Sequence, residues 1–105
     1  MKSPIPIQEL EASAGGIDTA ISLPPETFTS EEFYRFELDA VWGHEWFCIG
    51  RANDIPNPGD YFTVTVGNDP LIAVRGRDNT IRVLANVCQH RAMPLVEGEK
   101  GSCRR

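Results

Sequence analysis

The sequence predicts a mainly β fold: a small antiparallel β-sheet or sandwich, preceded by an extended arm and one capped helix. Residues 61–66 alternate as a half-buried strand does, and short turns rich in Gly, Asn and Asp separate them from apolar runs at 71–75 and 80–85. Strands joined by such short turns favour antiparallel pairing. The helix is predicted from apolar residues that recur with helical period between residues 28 and 44.

Residues 1–27 are predicted to form the arm. Prolines and glycines interrupt every possible hydrophobic period in the first 25 residues. They are Pro4, Pro6, Gly15, Gly16, Pro24 and Pro25. The arm therefore has little apolar surface to bury by itself.

Residues 28–44 are predicted to form the helix that leads into the domain. Thr29 and Glu32 have the spacing of a capping box, in which each side chain bonds the backbone amide of the other residue. Gly43 is predicted to end the helix. We interpret the apolar face as core; it contains Phe33, Phe36, Leu38, Ala40, Val41 and Trp42.

Residues 45–105 carry the predicted sheet, and the 105-residue length suits one domain. The apolar run 46–49, closed by Gly50, is predicted to be the first strand, with Cys48 as a small buried hydrophobic residue. A loop rich in Pro, Asn and Asp then leads to the strand at 61–66.

Composition and charge exclude several classes of protein. The net charge is −5, and the basic residues are scattered, so no nucleic-acid partner is predicted. No apolar run approaches the roughly 20 residues of a membrane span, and the N-terminus lacks the apolar segment of a signal peptide. Three cysteines cannot form a disulfide framework. We therefore expect a cytoplasmic protein without a membrane partner.

A candidate metal-binding pair follows the last predicted strand. Cys88 and His90 are two residues apart and offer a thiolate and an imidazole, which are both common metal ligands. The spacing alone is a weak signal, because a buried cysteine beside a hydrogen-bonded loop histidine gives the same pattern. Two side chains also leave any four-coordinate site incomplete.

The residues around this pair resemble the N-terminal part of the large (alpha) subunits of Rieske non-haem iron ring-hydroxylating oxygenases. The order of four segments carries the resemblance: 42–46 (WGHEW), 55–62 (IPNPGDYF), 86–91 (NVCQHR) and 97–98 (EG). Arg91 follows the histidine as in oxygenases, whereas Rieske proteins of respiratory complexes usually have a disulfide cysteine in the region that 92–94 occupies here. Ala92 stands where many relatives have glycine.

The resemblance implies a [2Fe–2S] cluster held by two loops, each of which gives one cysteine and one histidine. Matched onto this sequence, Cys88 is the expected ligand of one iron and His90 the expected ligand of the other. The family's second pair, Cys-x-x-His, is expected about 15–17 residues beyond the first histidine. Fifteen residues follow His90, and Cys103 has no histidine after it. We therefore expect an incomplete, Rieske-like domain of a truncated subunit, with half of the cluster ligands and no catalytic residues.

The resemblance also implies the activity of a parent enzyme. A ferredoxin or reductase would reduce the cluster, which feeds a mononuclear Fe(II) centre in a domain absent here. That centre would hydroxylate an aromatic or other small organic substrate. Alpha subunits of this family suggest assembly with one another as trimers, and the fragment alone is expected to be inactive.

Two alternatives remain open from the sequence. A small zinc-binding module would use Cys88, His90 and Cys103, with His44 as an optional further ligand; these side chains suit zinc, although no motif spacing supports the last two. An interaction domain without metal would dock its N-terminal arm onto a neighbouring subunit. If this alternative is correct, replacing Cys88 with alanine in the full-length parent protein leaves its iron content unchanged.

Overall fold

The computed structural model describes residues 1–103, and the chain divides into two compact units, Met1–Trp46 and Phe47–Arg105. The first unit is helical. It contains α1 (Ile7–Glu11), a 3₁₀ turn (Ala12–Ala14), α2 (Glu26–Thr29) and α3 (Glu31–Glu37), which continues into a π-helical turn (Leu38–Trp42). The short helix α1 lies inside the predicted arm, between Pro6 and Gly15, where neither residue interrupts it.

The predicted capping box at Thr29 is wrong, because the cap lies one residue later. Ser30 has extended backbone angles, and its hydroxyl accepts a 3.2 Å hydrogen bond from the Phe33 amide. Thr29 instead ends α2 and donates its hydroxyl to the Pro25 carbonyl. With Ser30 as the cap, Phe33 occupies the third helical position, so no acidic side chain there can complete a capping box.

The predicted end of the helical segment is confirmed. Gly43 caps the π-helical turn, and its amide donates to the Leu38 carbonyl at 3.1 Å. On the predicted apolar face, Phe33 is buried and its ring centroid lies 5.8 Å from that of Phe36. Val41 lies on the exposed part of the same face.

The second unit is built on one four-stranded antiparallel sheet. Its strands are β1 (Asp60–Val66), β2 (Asp69–Arg75), β3 (Ile81–Ala85) and β4 (Lys100–Ser102), in the order β3-β2-β1-β4. The predicted strands correspond to β1, β2 and β3, so the mainly β antiparallel prediction is confirmed. The buried residues of this unit include Ile55, Ile72 and Ala73.

The prediction of a strand at 46–49 is wrong. The run has no strand conformation, and Trp46 is fully exposed. Cys48 is also exposed rather than buried, and its thiol lies 3.4 Å from the Gly50 carbonyl as a donor. The physical reason is that apolar contact does not require strand pairing: Ile49 lines a cavity with Phe62 of β1 and Ala73 of β2, although no strand of the described sheet pairs with the run.

Arg75 at the end of β2 fixes the preceding loop to the sheet. Its Nε donates to the Ile55 carbonyl at 2.6 Å, and a guanidinium nitrogen donates to the Ala52 carbonyl at 3.1 Å. Another nitrogen donates to the Asn79 carbonyl in the β2–β3 hairpin.

Among the residues described, no helix has the length and apolar character required to cross a membrane.

Candidate functional site

The candidate pair lies on a loop that leaves the end of β3. We call residues 86–96 the ligand loop. The Asn86 amide donates to the Pro70 carbonyl at 2.8 Å and adds one more rung to the β2–β3 ladder, beyond the Ala85 and Leu71 pair. The loop therefore begins from a defined position on the sheet.

Two backbone hydrogen bonds close a turn inside the ligand loop. The Cys88 amide donates to the Met93 carbonyl at 2.7 Å, and the Ala92 amide donates to the Cys88 carbonyl at 2.8 Å. Residues 88–93 thus form a closed turn in which both backbone polar groups of Cys88 are used. Any ligand geometry at Cys88 depends on this turn.

Asn86 joins the two ends of the ligand loop with its side chain. Its Oδ1 accepts hydrogen bonds from the amides of Leu95, at 2.9 Å, and Val96, at 3.1 Å. Its Nδ2 donates to the Val96 carbonyl at 3.1 Å. Asn86 is 7% exposed and is the buried polar residue of the described chain. Such a residue must be hydrogen-bonded to be tolerated, and these contacts meet that requirement.

Ala92 closes the turn in an unusual backbone conformation. Its φ is +52°, in the left-handed region, where a Cβ atom is unfavourable and glycine is preferred. Many proteins of the family that the sequence resembles have glycine here, and the positive φ is the conformation that glycine adopts most easily. The turn keeps this geometry although alanine makes it less favourable.

Cys88 and His90 lie in the same closed turn. Cys88 is partly buried and has a free thiol, whereas His90 is exposed at the tip. Their donor types suit a cluster in which cysteine binds one iron and histidine the other. In number they are insufficient, because residues 1–103 bring together no group of three or more His, Cys, Asp or Glu side chains that could hold a metal. The fit is therefore one of donor chemistry, from one thiol and one imidazole.

The same finding bears on the zinc alternative. A zinc site needs at least three such side chains close together, and the described part of the chain contains no group of that size that could hold a metal. Cys103 is exposed, and its amide donates to the Gly59 carbonyl at 2.9 Å where β4 pairs with β1. The zinc alternative therefore has no structural support in residues 1–103.

Asn86 is the residue of the site that sequence reasoning missed. Asn86 is the first residue of the segment NVCQHR, and the sequence predicts no role for it. An available signal was a short amide side chain directly after a strand and before a loop, because asparagine bonds nearby backbone groups and favours such positions. Its partners at 95 and 96 are nine and ten residues away, beyond the reach of local turn rules.

The groups with shifted pKa values lie at the end of the sheet opposite the ligand loop, near the β2–β3 turn and the start of β1. The Arg82 guanidinium donates two hydrogen bonds to the Asp78 carboxylate, at 2.6 and 3.0 Å, and this pairing lowers the pKa of Asp78 well below its usual range. The Thr80 amide adds a third hydrogen bond. The pKa of Asp60 is also lowered, because the Asn57 amide donates to its carboxylate.

The chain matches one family model over most of its second unit. The model describes the Rieske [2Fe-2S] domain and matches residues 45–104, which is more than half of the chain. The matched segment includes β1 to β4 and the whole ligand loop.

Individual relatives are oxygenase subunits of different substrate classes. The benzene 1,2-dioxygenase subunit alpha of Pseudomonas putida is 36% identical over 94 residues, which cover 90% of this chain and 20% of that protein. The glycine betaine monooxygenase oxygenase subunit of Chromohalobacter salexigens is 38% identical over 80 residues, which cover 76% of this chain and 18% of that protein. The chain thus spans about a fifth of the length of these curated relatives.

A solved structure shares the fold. Naphthalene 1,2-dioxygenase from Rhodococcus sp., with bound indole, superposes with a TM-score of 0.78 at 26% sequence identity. The superposition covers 91% of this chain and 22% of that chain.

Proposed function

The chain belongs to the Rieske [2Fe-2S] domain family, and we propose that its ligand loop supplies one cysteine and one histidine to a [2Fe–2S] cluster. Cys88 binds one iron through its thiolate, and His90 binds the other through its imidazole. The cluster-binding domain is assigned to residues 45–105, after an arm (1–27) and a helical lead (28–44). The observation that supports the proposal is the closed turn 88–93, which carries both side chains within the matched segment.

The chain's own residues must meet two protonation requirements. Cys88 has to lose its thiol proton and His90 has to be neutral before either can bind iron, so assembly releases protons and fails in acid. Neutral imidazole in place of thiolate lowers the negative charge around the metal, which favours reduction and corresponds to potentials of roughly −150 to +300 mV. When bound, the cluster supplies one-electron transfer. A reducing cytoplasm keeps Cys88 available as a thiol.

The parent activity we propose is that of a Rieske-type oxygenase. These residues then form the N-terminal region of an alpha subunit that accepts electrons from a ferredoxin or reductase and serves a mononuclear Fe(II) centre elsewhere in the protein. The support is that relatives about five times longer carry the names of a dioxygenase alpha subunit and of a monooxygenase oxygenase subunit. We further propose assembly of alpha subunits as trimers.

The substrate class remains broad in this proposal. The relatives' names include benzene and glycine betaine, at 36% and 38% identity, so similarity in this region does not separate aromatic hydroxylation from oxidation of other small organic compounds. We propose an aromatic or other small organic substrate, recognised by residues outside this sequence.

The proposal is tested by comparing two proteins after reconstitution with iron and sulfide. One is the 105-residue chain, and the other is the protein encoded by the complete reading frame that contains it. We expect the visible absorption of a Rieske cluster from the second protein and no stable cluster on the first, because its described residues give two of four ligands. A stable Rieske spectrum on the monomeric 105-residue chain would contradict this account.

A further inference from the structure

The side-chain amide of Asn86 bonds both backbone polar groups of Val96, as a residue on a neighbouring strand would. Its amide group accepts from the Val96 N–H and donates to the Val96 carbonyl, both at 3.1 Å. This two-point contact is the arrangement that a paired residue makes in an antiparallel ladder. The Leu95 amide is bonded by the same Oδ1 atom. One buried side chain therefore satisfies three backbone groups of the returning segment.

This contact determines where the ligand loop closes. Asn86 is held on the sheet through its own amide and the Pro70 carbonyl, so the returning segment is fixed relative to β2 and β3. Closing a loop of this length costs conformational entropy, and the contacts of Asn86 offset that cost where the two ends meet. The inner turn, with the hydrogen bonds of Cys88 to Met93 and Ala92, lies between those ends.

The inner turn requires such support. Ala92 has a φ of +52°, which costs free energy for a residue with a Cβ atom and persists only where surrounding contacts determine the conformation. The two backbone bonds of the turn lie on a mostly exposed segment, where water competes for the same groups. Asn86 is itself buried and its side-chain hydrogen bonds are part-buried, so water competes with them less.

We propose that Asn86 is the positioning residue of the ligand loop: its side-chain amide holds residues 88–93 in the closed turn before any metal binds. The inference rests on the proposed function of Cys88 and His90 for its purpose, but the ordering of the loop is a property of the protein alone. Asparagine suits this role because one short side chain offers both a carbonyl oxygen and an N–H₂ group. Aspartate retains the acceptors and loses the donor, and leucine lacks both.

Amide hydrogen exchange of the metal-free 105-residue chain, measured by NMR, tests the proposal. The variants are Asn86→Leu and Asn86→Asp, with Gln89→Leu as the control on an exposed residue of the same loop. In Asn86→Leu we expect protection to fall by at least about tenfold at Leu95 and Val96 and also at the amides of Cys88 and Ala92. The strong intraresidue amide–Hα cross-peak that reports positive φ at Ala92 is expected to weaken. Asn86→Asp should give a smaller loss, and Gln89→Leu none.

Protection of the β2 amides of Ile72 and Ala73 separates loop opening from global unfolding, since both residues are buried in the sheet. Unchanged protection at Cys88 and Ala92 in both Asn86 variants would overturn the proposal. So would free exchange of the Cys88 amide in the wild-type chain, or loss of Ile72 protection in both variants, which would make Asn86 a support of the whole sheet. The test contains no iron, so its outcome is independent of whether Cys88 and His90 bind a cluster.

Discussion

Ala92 illustrates how one backbone angle can set the tolerance of a functional loop. At a φ of +52°, glycine would remove the steric cost of the Cβ atom but would increase the entropy of the unfolded chain. These terms nearly cancel, so we expect Ala92→Gly to change the free energy of unfolding by less than about 1 kcal/mol. A β-branched side chain adds crowding, and Ala92→Val should destabilise by about 1–2 kcal/mol. Denaturant unfolding of the second unit measures both.

Ala85 provides the matched control for this prediction. It lies in β3, where glycine weakens a strand, so Ala85→Gly should destabilise by roughly 0.5–1 kcal/mol. Equal stability of the Ala92→Gly and Ala92→Val variants would show that the positive φ is not maintained in solution.

At the scale of elements, a half-exposed ion pair between Asp78 and Arg82 links the β2–β3 turn to the start of β3. Pairing lowers the pKa of the Asp78 carboxyl in the folded state, so its contribution to stability is present above the ordinary carboxyl pKa and is lost as the pH falls through the lowered value. We expect the stability difference between wild type and Asp78→Asn to be greatest near neutral pH and to shrink below about pH 4. Urea unfolding at a series of pH values measures this difference.

The variant Arg82→Met serves as the control, because it removes the main cause of the lowered pKa of Asp78. In that background, Asp78→Asn should have a smaller effect with a weaker dependence on pH. A difference between wild type and Asp78→Asn that stays constant from neutral pH to pH 3 would contradict the assigned role of the ion pair.

Local rules predicted the elements that local interactions determine. Alternation and short turns identified β1, β2 and β3, and Gly43 marked the end of the helical segment. The cap was misplaced by one residue because Thr29 and Ser30 both offer a hydroxyl, and only the backbone decides which is extended. The run 46–49 was mistaken for a strand because apolar character does not reveal whether a partner strand exists. The contacts of Asn86 span up to ten residues and required the fold itself.

For the whole molecule, we propose that the ligand loop supplies half of the protein ligands of a Rieske cluster. The second unit matches the Rieske domain family, and the loop offers one thiol and one imidazole in a closed turn. The free cysteines provide matched controls, because Cys48 and Cys103 are both exposed and lie outside that turn. We therefore expect the iron content to depend on Cys88 and not on the other two cysteines.

The most direct measurement is the iron and sulfide content, with the visible spectrum, of the protein encoded by the complete reading frame. We expect Cys88→Ser to abolish the cluster, since serine does not replace a thiolate ligand of iron. Cys48→Ser and Cys103→Ser should retain the wild-type content and spectrum. Full iron content and an unchanged Rieske spectrum in Cys88→Ser would contradict the assignment of this loop as a cluster ligand.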